Sequence, residues 1–158
     1  MEISIRNANQ EDYESLLPLF RQVHDLHVFE RPDLYKENST PVGEEEFNNQ
    51  LKDEKQHILV ATLGTEIVGV AVLKEEEIYE TSFVNARKIL LVDSLCVDDA
   101  SRKKGIGRKL MQFVFDFAKE LNVDSIELGV SESNQNAIQF YESIGMATKN
   151  RKMEFRLH

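Results

Sequence analysis

The chain has 158 residues, of which 41% are hydrophobic and 30% charged, and its formal net charge is −9 at pH 7. These values predict one compact domain over residues 1–158, because the chain is too short for two ordinary domains and too apolar for disorder. The negative charge disfavours general binding to nucleic acid or anionic membranes. No apolar run suits a signal peptide or approaches the ~18 residues of a membrane span, so we expect a cytoplasmic protein.

The N-terminal third predicts a strand followed by a helix. Apolar residues alternate over residues 3–5, and the cap-type residues 9–12 precede a helical apolar pattern from Leu16 to Leu26. Pro18 lies within that pattern and cannot donate a backbone hydrogen bond. The helix is therefore expected either to kink at Pro18 or to begin later.

The middle of the chain predicts a loop, a second helix and a hairpin. Residues 28–43 contain two prolines and no periodic pattern, which is typical of a loop or short helices. Residues 44–55 resume a helical pattern. Two strand-like runs, 57–63 and 67–73, flank the turn sequence at 64–66.

The second half predicts two strand–helix pairs and a last strand. The most hydrophobic run, 88–97, is expected to be a central strand buried on both faces. Helices are predicted over residues 106–121 and 134–144, a strand over 124–130 between them, and a final strand over 153–157. This order of elements favours a mixed α/β domain built around one sheet.

A basic loop with two glycines joins the central strand to the helix that follows. Five of the eight residues from Arg102 to Lys109 are basic. Gly105 and Gly107 leave successive N–H groups unobstructed, and the helix N-terminus adds partial positive charge, so the loop could hold a diphosphate. A glycine pair before a helix is also explained by a simple turn.

The spacing of these glycines disfavours two common nucleotide sites. A Walker-type site needs Lys and then Ser or Thr after its last glycine, whereas Arg108 and Lys109 follow Gly107. A dinucleotide site needs a third glycine, but Leu110 and Met111 continue the helix. ATP and NAD are therefore disfavoured as ligands.

Two motifs resemble those of the GNAT N-acetyltransferases. The run Arg102-x-x-Gly105-x-Gly107 matches the Q/R-x-x-G-x-G/A signature of that family, in which the loop amides bind the diphosphate of coenzyme A. Residues 93–97 resemble its fourth strand, and residues 128–146 resemble its fifth strand and last helix. The resemblance implies a single central mixed, mostly antiparallel sheet flanked by helices, with acetyl-CoA as cosubstrate and no metal.

The resemblance also implies which residues bind the cosubstrate. The main chain of Leu95, Cys96 and Val97 would hold the pantetheine arm. Asn134 would bond to the pantetheine amides, cap the last helix, or do both. The phosphates would be held by the loop residues Arg102, Lys103, Lys104, Gly105, Ile106, Gly107 and Arg108.

Direct attack of a neutral amine on the thioester needs a base and an acid. Tyr141 is implied by the resemblance as the group that protonates the leaving thiolate, with contact to the sulfur or packing as the alternative. Asp93 is the candidate base because it shares strand parity with Leu95 and Val97. A bulge there would reverse that parity, and Asp93 could instead pair with a basic neighbour.

Cys96 is the only cysteine, and no Cys or His lies near it at metal-ligand spacing. It cannot form a disulfide within the chain, which favours a reducing compartment. Its parity is opposite to that of Leu95 and Val97. We therefore expect a buried core thiol rather than a covalent nucleophile.

The acceptor is an amine that the sequence does not name. The resemblance places acceptor binding near the first helix and loop, where His27, Glu30 and Tyr35 could line a pocket or be surface or interface residues. The acidic surface favours a cationic acceptor such as a polyamine, an aminoglycoside or lysine. A non-catalytic acyl-CoA sensor or interaction module is the alternative function. A monomer or a homodimer is expected, with an exposed sheet edge near the C-terminus available for pairing.

Overall fold

The computed structural model describes residues 2–158, which form five strands and four helices. The strands are β1 Ile3–Asn7, β2 Gln56–Leu63, β3 Glu66–Ile78, β4 Arg87–Val97 and β5 Ser125–Leu128. The helices are α1 Tyr13–Glu30, α2 Glu44–Lys52, α3 Ile106–Leu121 and α4 Gln135–Ser143. The strands lie in one sheet in the order β1-β2-β3-β4-β5. The first four are antiparallel to their neighbours and β5 is parallel to β4, so the predicted mixed, mostly antiparallel sheet is confirmed.

Two hydrophobic cores cover the two faces of the sheet. On one face the α3 side chains Leu110, Met111 and Val114 pack against β3 and β4. On the other face Leu16 of α1 and Phe47 of α2 pack against residues of β2, β3 and β4. The alternation of strand side chains between these faces explains why the central strands read as nearly continuous apolar runs.

The start of α1 is fixed by polar side chains. Asn9 donates its backbone N–H to the Asp12 carboxylate at 2.8 Å. The Arg6 guanidinium donates to both oxygens of that carboxylate at 2.8 and 2.9 Å and holds the pKa of Asp12 below its usual value. The helix then begins at Tyr13 and continues through Pro18, so the expectation of a later start is wrong. It also extends to Glu30, into the stretch 28–43 that was predicted as a loop or short helices.

The C-terminal strand predicted over residues 153–157 is not formed. Residues 147–158 adopt no helix or strand, and no backbone–backbone hydrogen bond joins them to the rest of the described chain. Their sequence alternates as a strand does, but a strand forms only beside a partner whose backbone groups complete its hydrogen bonds.

Gly69 in β3 permits the close approach of α3. A Cβ at this position would lie 3.0 Å from Leu110 Cδ1, 3.2 Å from Ile106 Cγ2 and 3.3 Å from the Cys96 carbonyl oxygen. Because a backbone atom is among these neighbours, Gly69→Ala is expected to lower the free energy of unfolding by about 1–3 kcal/mol in denaturant titration. The control is Gly129→Ala, where no described atom lies within 4 Å and a change below about 0.5 kcal/mol is expected. Equal losses in the two variants would show that the close contact at Gly69 is not the cause.

Candidate active site

A β-bulge in β4 creates the central feature of the site. Val92 pairs with Leu73 and Ser94 pairs with Val72, so Asp93 is an extra residue with no partner on β3. The parallel pairing with β5 also ends at Val92. Beyond the bulge, the edge of β4 that pairs with β5 earlier in the strand has no described strand beside it.

The bulge reverses the parity of the side chains. Before it, Val92 packs in the core under α3, and after it Leu95 and Val97 pack there. Cys96 lies in the opposite core, as expected from its parity. The parity argument that grouped Asp93 with Leu95 and Val97 is therefore wrong, because a bulged residue intervenes.

The main chain of Leu95 and Val97 is directed away from β3. Asp98 donates its N–H to Val68 O on β3 at 2.9 Å. Since successive residues direct their amide groups to opposite edges of a strand, those of Val97 and Leu95 point toward the uncovered edge. The Val97 carbonyl accepts a hydrogen bond from the Gln22 side chain at 2.8 Å. Within residues 2–158 no backbone group pairs with Leu95 on this edge.

Gln22 is a site residue that the sequence did not reveal. It extends from α1, donates to Val97 O and accepts the backbone N–H of Asp99 at 3.2 Å. It therefore ties the end of β4 to the loop that follows. A single polar residue in a helical pattern carries no signal of such a role.

The loop after β4 leaves the N-terminus of α3 open. Lys103 and Gly105 have left-handed backbones, with φ of 67° and 78°. Gly105 is the N-cap residue, and no side chain caps the helix. A Cβ at Gly105 would meet none of the described atoms within 4 Å. The first-turn N–H groups of α3 therefore lack a side-chain cap, and they can bind an anion.

Two basic side chains flank this helix start. Arg102 pairs with Asp99 at 3.0 Å, and Arg108 donates to Ser143 Oγ at 3.3 Å. The Ile106 side chain is fully buried and anchors the first turn of α3 in the core. The predicted loop residues thus surround one helix N-terminus, with backbone amides at the centre and cations at the rim.

Helix α4 lies against the first turn of α3. A Cβ at Gly107 would sit 3.4 Å from the Phe140 ring, whose centroid is 5.3 Å from that of Tyr141. Tyr141 is half-buried, and burial alone raises the pKa of its hydroxyl above the usual 10. Asn134 caps α4, since its Oδ1 accepts the Ala137 N–H at 3.1 Å. The capping alternative for Asn134 is therefore confirmed.

A cavity of about 250 Å³ lies between α1 and the bulged segment of β4. Its walls are mostly apolar, and some lining side chains add polar groups. The lining residues are Phe20, Val23, His24, His27, Pro41, Val42, Gln50, Val72, Asp93 and Ser94. Burial raises the pKa of the Asp93 carboxyl, and nearby Lys74 opposes this shift. A larger open depression of about 510 Å³ beside α2 contains none of the predicted site residues.

The three residues predicted for the acceptor pocket occupy different positions. His27 lines the cavity, and the Tyr35 ring stacks on it with centroids 5.0 Å apart. Glu30 does not line the cavity and instead accepts a hydrogen bond from Ser133 Oγ at 2.7 Å. His27 and Asp93 thus line the same cavity, which the sequence did not suggest.

Cys96 is expected to be chemically inert in the folded protein. Burial raises the pKa of its thiol to about 12, so at pH 8 only about 10⁻⁴ of it is thiolate, the reactive form. A thiol-specific disulfide reagent should therefore leave Cys96 unmodified in native buffer and react with one thiol per chain in denaturant. Rapid modification of the native protein, in the same assay, would show that the thiol is accessible.

Residues 2–158 were compared with the requirements of a membrane-spanning helix and of a multi-ligand metal site, and they meet neither. No helix there is long and apolar enough to cross a membrane. No group of three or more His, Cys, Asp or Glu side chains in this part of the chain could hold a metal ion.

Comparison with known proteins gives the family. Residues 20–146 match the family model described as "Acetyltransferase (GNAT) family". The chain is 27% identical over 145 residues to the uncharacterized N-acetyltransferase YhfO of Bacillus subtilis, covering 90% of this chain and 89% of that protein. A crystal structure of a single mutant of the BH1408 protein from Bacillus halodurans superposes with a TM-score of 0.95 and 33% identity, covering 98% and 99% of the two chains.

A more distant structure shares the fold. The aminoglycoside N-acetyltransferase AAC(6')-Iy, solved in complex with CoA, superposes with a TM-score of 0.76 at 13% identity, covering 98% of this chain and 94% of that one. The family match extends over the bulged strand, the glycine loop and α4, which are the elements that build the site. The chain belongs to the GNAT family of acetyltransferases.

Proposed function

We propose that this protein transfers the acetyl group of acetyl-CoA to a primary amine by direct attack in a ternary complex. The observation that carries the proposal is the uncovered edge of β4 at Leu95 and Val97, which lies next to the open N-terminus of α3. An extended pantetheine arm has amide groups that can pair with such an edge. The diphosphate matches a helix N-terminus rimmed by cations.

The residues of the site fit this cosubstrate. Gly105 is left-handed and has open space where a side chain would project, so a phosphate can approach its backbone. Arg102 and Arg108 lie on either side, with Lys103 and Lys104 between Arg102 and the helix. When bound, acetyl-CoA supplies the activated acyl group, and the chain supplies position and proton transfer.

The cavity lined by Asp93 and His27 is proposed to bind the acceptor amine. Asp93 accepts the proton that an alkylammonium must lose, and its raised pKa makes it a stronger base than an exposed carboxylate. The amine nitrogen then bonds to the acyl carbon as the carbon–sulfur bond breaks, and the second proton that the nitrogen loses on becoming an amide passes to solvent, from which Tyr141 regains the proton it gives up. Tyr141 donates its proton to the departing thiolate.

The acceptor is proposed to be cationic. The chain has a net charge of −9, and the cavity combines a carboxylate with apolar walls that suit an alkyl segment. AAC(6')-Iy, a neighbour in fold alone, is named for the acetylation of aminoglycosides, which are polycationic amines.

The proposal is tested with acetyl-CoA and a panel of amines, with release of free thiol as the readout. We expect at least one cationic amine, from polyamines, aminoglycosides and lysine peptides, to release thiol well above the rate of hydrolysis alone. Neutral amines of similar size are the control for the charge preference. Tight binding of acetyl-CoA without transfer to any amine would instead support the sensor alternative.

A further inference from the structure

The side-chain amide of Gln22 satisfies two backbone groups where β4 ends. Its Nε2 donates to the Val97 carbonyl oxygen at 2.8 Å, and its Oε1 accepts the Asp99 N–H at 3.2 Å. The same nitrogen lies 3.3 Å from Cys96 Sγ, which can accept its second hydrogen. Because Gln22 uses both its donor and its acceptor on one short stretch of chain, the orientation of its amide is determined.

These contacts imitate a neighbouring strand. Val97 and Asp99 direct their backbone groups to the same edge of the chain. The Asp98 N–H between them points to the opposite edge, where it donates to Val68 O at 2.9 Å. A residue of a parallel strand bonds in the same way, to one carbonyl and to the N–H two residues further along. Gln22 thus occupies the position that an added strand would take opposite Asp98.

Both ends of the peptide group between Val97 and Asp98 are therefore fixed. Its carbonyl is held by Gln22 and its N–H by Val68. Immediately before it, the backbone of Leu95 and the Val97 N–H face the open edge that the proposed function assigns to the pantetheine arm. Because the last peptide group of this edge is held on both sides, the edge is ordered before the arm binds, and ordering it costs no binding energy.

We propose that Gln22 positions acetyl-CoA by ending the open edge of β4 at Val97 and holding that edge in the arrangement that pairs with the pantetheine arm. The inference rests on the proposed function, because it requires the arm to pair with Leu95 and Val97. Gln22 acts through the main chain of β4, so it is a positioning residue. The Val97 carbonyl keeps one lone pair for the arm, since a carbonyl oxygen has two.

Calorimetric titration of the variant Gln22→Met tests this role. Methionine has nearly the same length as glutamine but lacks the amide. We expect coenzyme A to bind about 3- to 10-fold more weakly, which is the usual effect of losing one neutral hydrogen bond. The second ligand is phospho-ADP, the half of coenzyme A that carries the diphosphate but no pantetheine arm. Its affinity should be unchanged, because the fully buried Ile106 side chain anchors the start of α3 without Gln22.

Gln112→Met is the matched control. Gln112 is exposed on α3 and donates to Asp116 at 3.3 Å, outside the site. Both ligands should bind this variant as tightly as the wild type.

The variant Gln22→Glu separates the hydrogen bond to Val97 from the packing of the side chain. Glutamate keeps the size of glutamine and an acceptor for the Asp99 N–H, but it places an oxygen beside the Val97 carbonyl. We expect affinity for coenzyme A to fall at least as far as in Gln22→Met. Unchanged affinity for coenzyme A in either Gln22 variant would overturn the proposal.

Two further outcomes would also count against this role. Equal losses of affinity for coenzyme A and phospho-ADP in Gln22→Met would show general damage to the loop rather than an effect on the arm, and would overturn the proposal. A wild-type protein without affinity for coenzyme A would overturn the proposed function together with this inference. By contrast, a wild type that acetylates an amine, beside Gln22 variants that bind coenzyme A normally, would refute the positioning role alone.

Discussion

Replacing Tyr141 by Phe is expected to lower kcat for acetyl transfer by about 10²- to 10⁴-fold, the usual contribution of a positioned general acid. Acetyl-CoA affinity should be unchanged, because the ring and its packing against Phe140 remain. Burial raises the pKa of the Tyr141 hydroxyl above 10, so the proton is present at neutral pH. On the alkaline side, the wild-type rate should fall as the pH rises through that raised pKa. This alkaline loss should be absent from the variant.

The matched control is Tyr79→Phe, which removes the same atom from a side chain that is 73% exposed outside the site. Its kcat and pH profile should equal those of the wild type. A Tyr141→Phe enzyme with wild-type kcat would limit this residue to packing or to contact with the sulfur. The proton for the thiolate would then have to come from water.

The variant Gly107→Asp is expected to weaken acetyl-CoA binding by about 5- to 1,000-fold. A carboxylate about 4 Å from a phosphate charge costs ~1–4 kcal/mol, depending on the local dielectric. Folding should not suffer, because an acidic residue in the first turn of a helix interacts favourably with its dipole. The new Cβ would meet Phe140 at 3.4 Å and Val97 at 3.7 Å, both ordinary contacts. Calorimetric titration measures the affinity, and thermal unfolding measures the stability.

Gly43→Asp provides the control for this change. Gly43 is the N-cap residue of α2, a position where Asp is favoured, and a Cβ there would meet no described atom within 4 Å. The same charge is thus added at a helix start outside the site, and acetyl-CoA affinity should be retained. If both variants bound acetyl-CoA as tightly as the wild type, the diphosphate would not lie at α3.

Local signals predicted the elements that build the cosubstrate site. Helix α3 has the predicted bounds, Ile106–Leu121, because its apolar stripe is long and left-handed residues, Gly105 and Asn122, lie at its two ends. The bounds of β4 and α4 differ from the prediction by no more than one residue at either end. These elements carry the glycine loop, Asn134 and Tyr141. Their assignment as cosubstrate and catalytic residues stays a prediction.

Features that depend on how separate elements of the fold meet could not be predicted from the sequence. The bulge at Asp93 arises from the register between β3 and β4, and it moved Asp93 toward the cavity that contains His27. The role of Gln22 depends on the distance between α1 and the end of β4. The strand predicted at residues 153–157 has the alternation of a strand but no backbone hydrogen-bond partner within residues 2–158, so pattern alone could not place it.

The central claim is that open backbone amides in β4 and at the start of α3 hold acetyl-CoA. Hydrogen exchange of these amides with and without coenzyme A tests it most directly. We predict slower exchange at Leu95, Val97 and residues 105–108 on addition of coenzyme A, with no change in β1 and β2. Binding of coenzyme A that protected other segments and left these amides unchanged would contradict the claim.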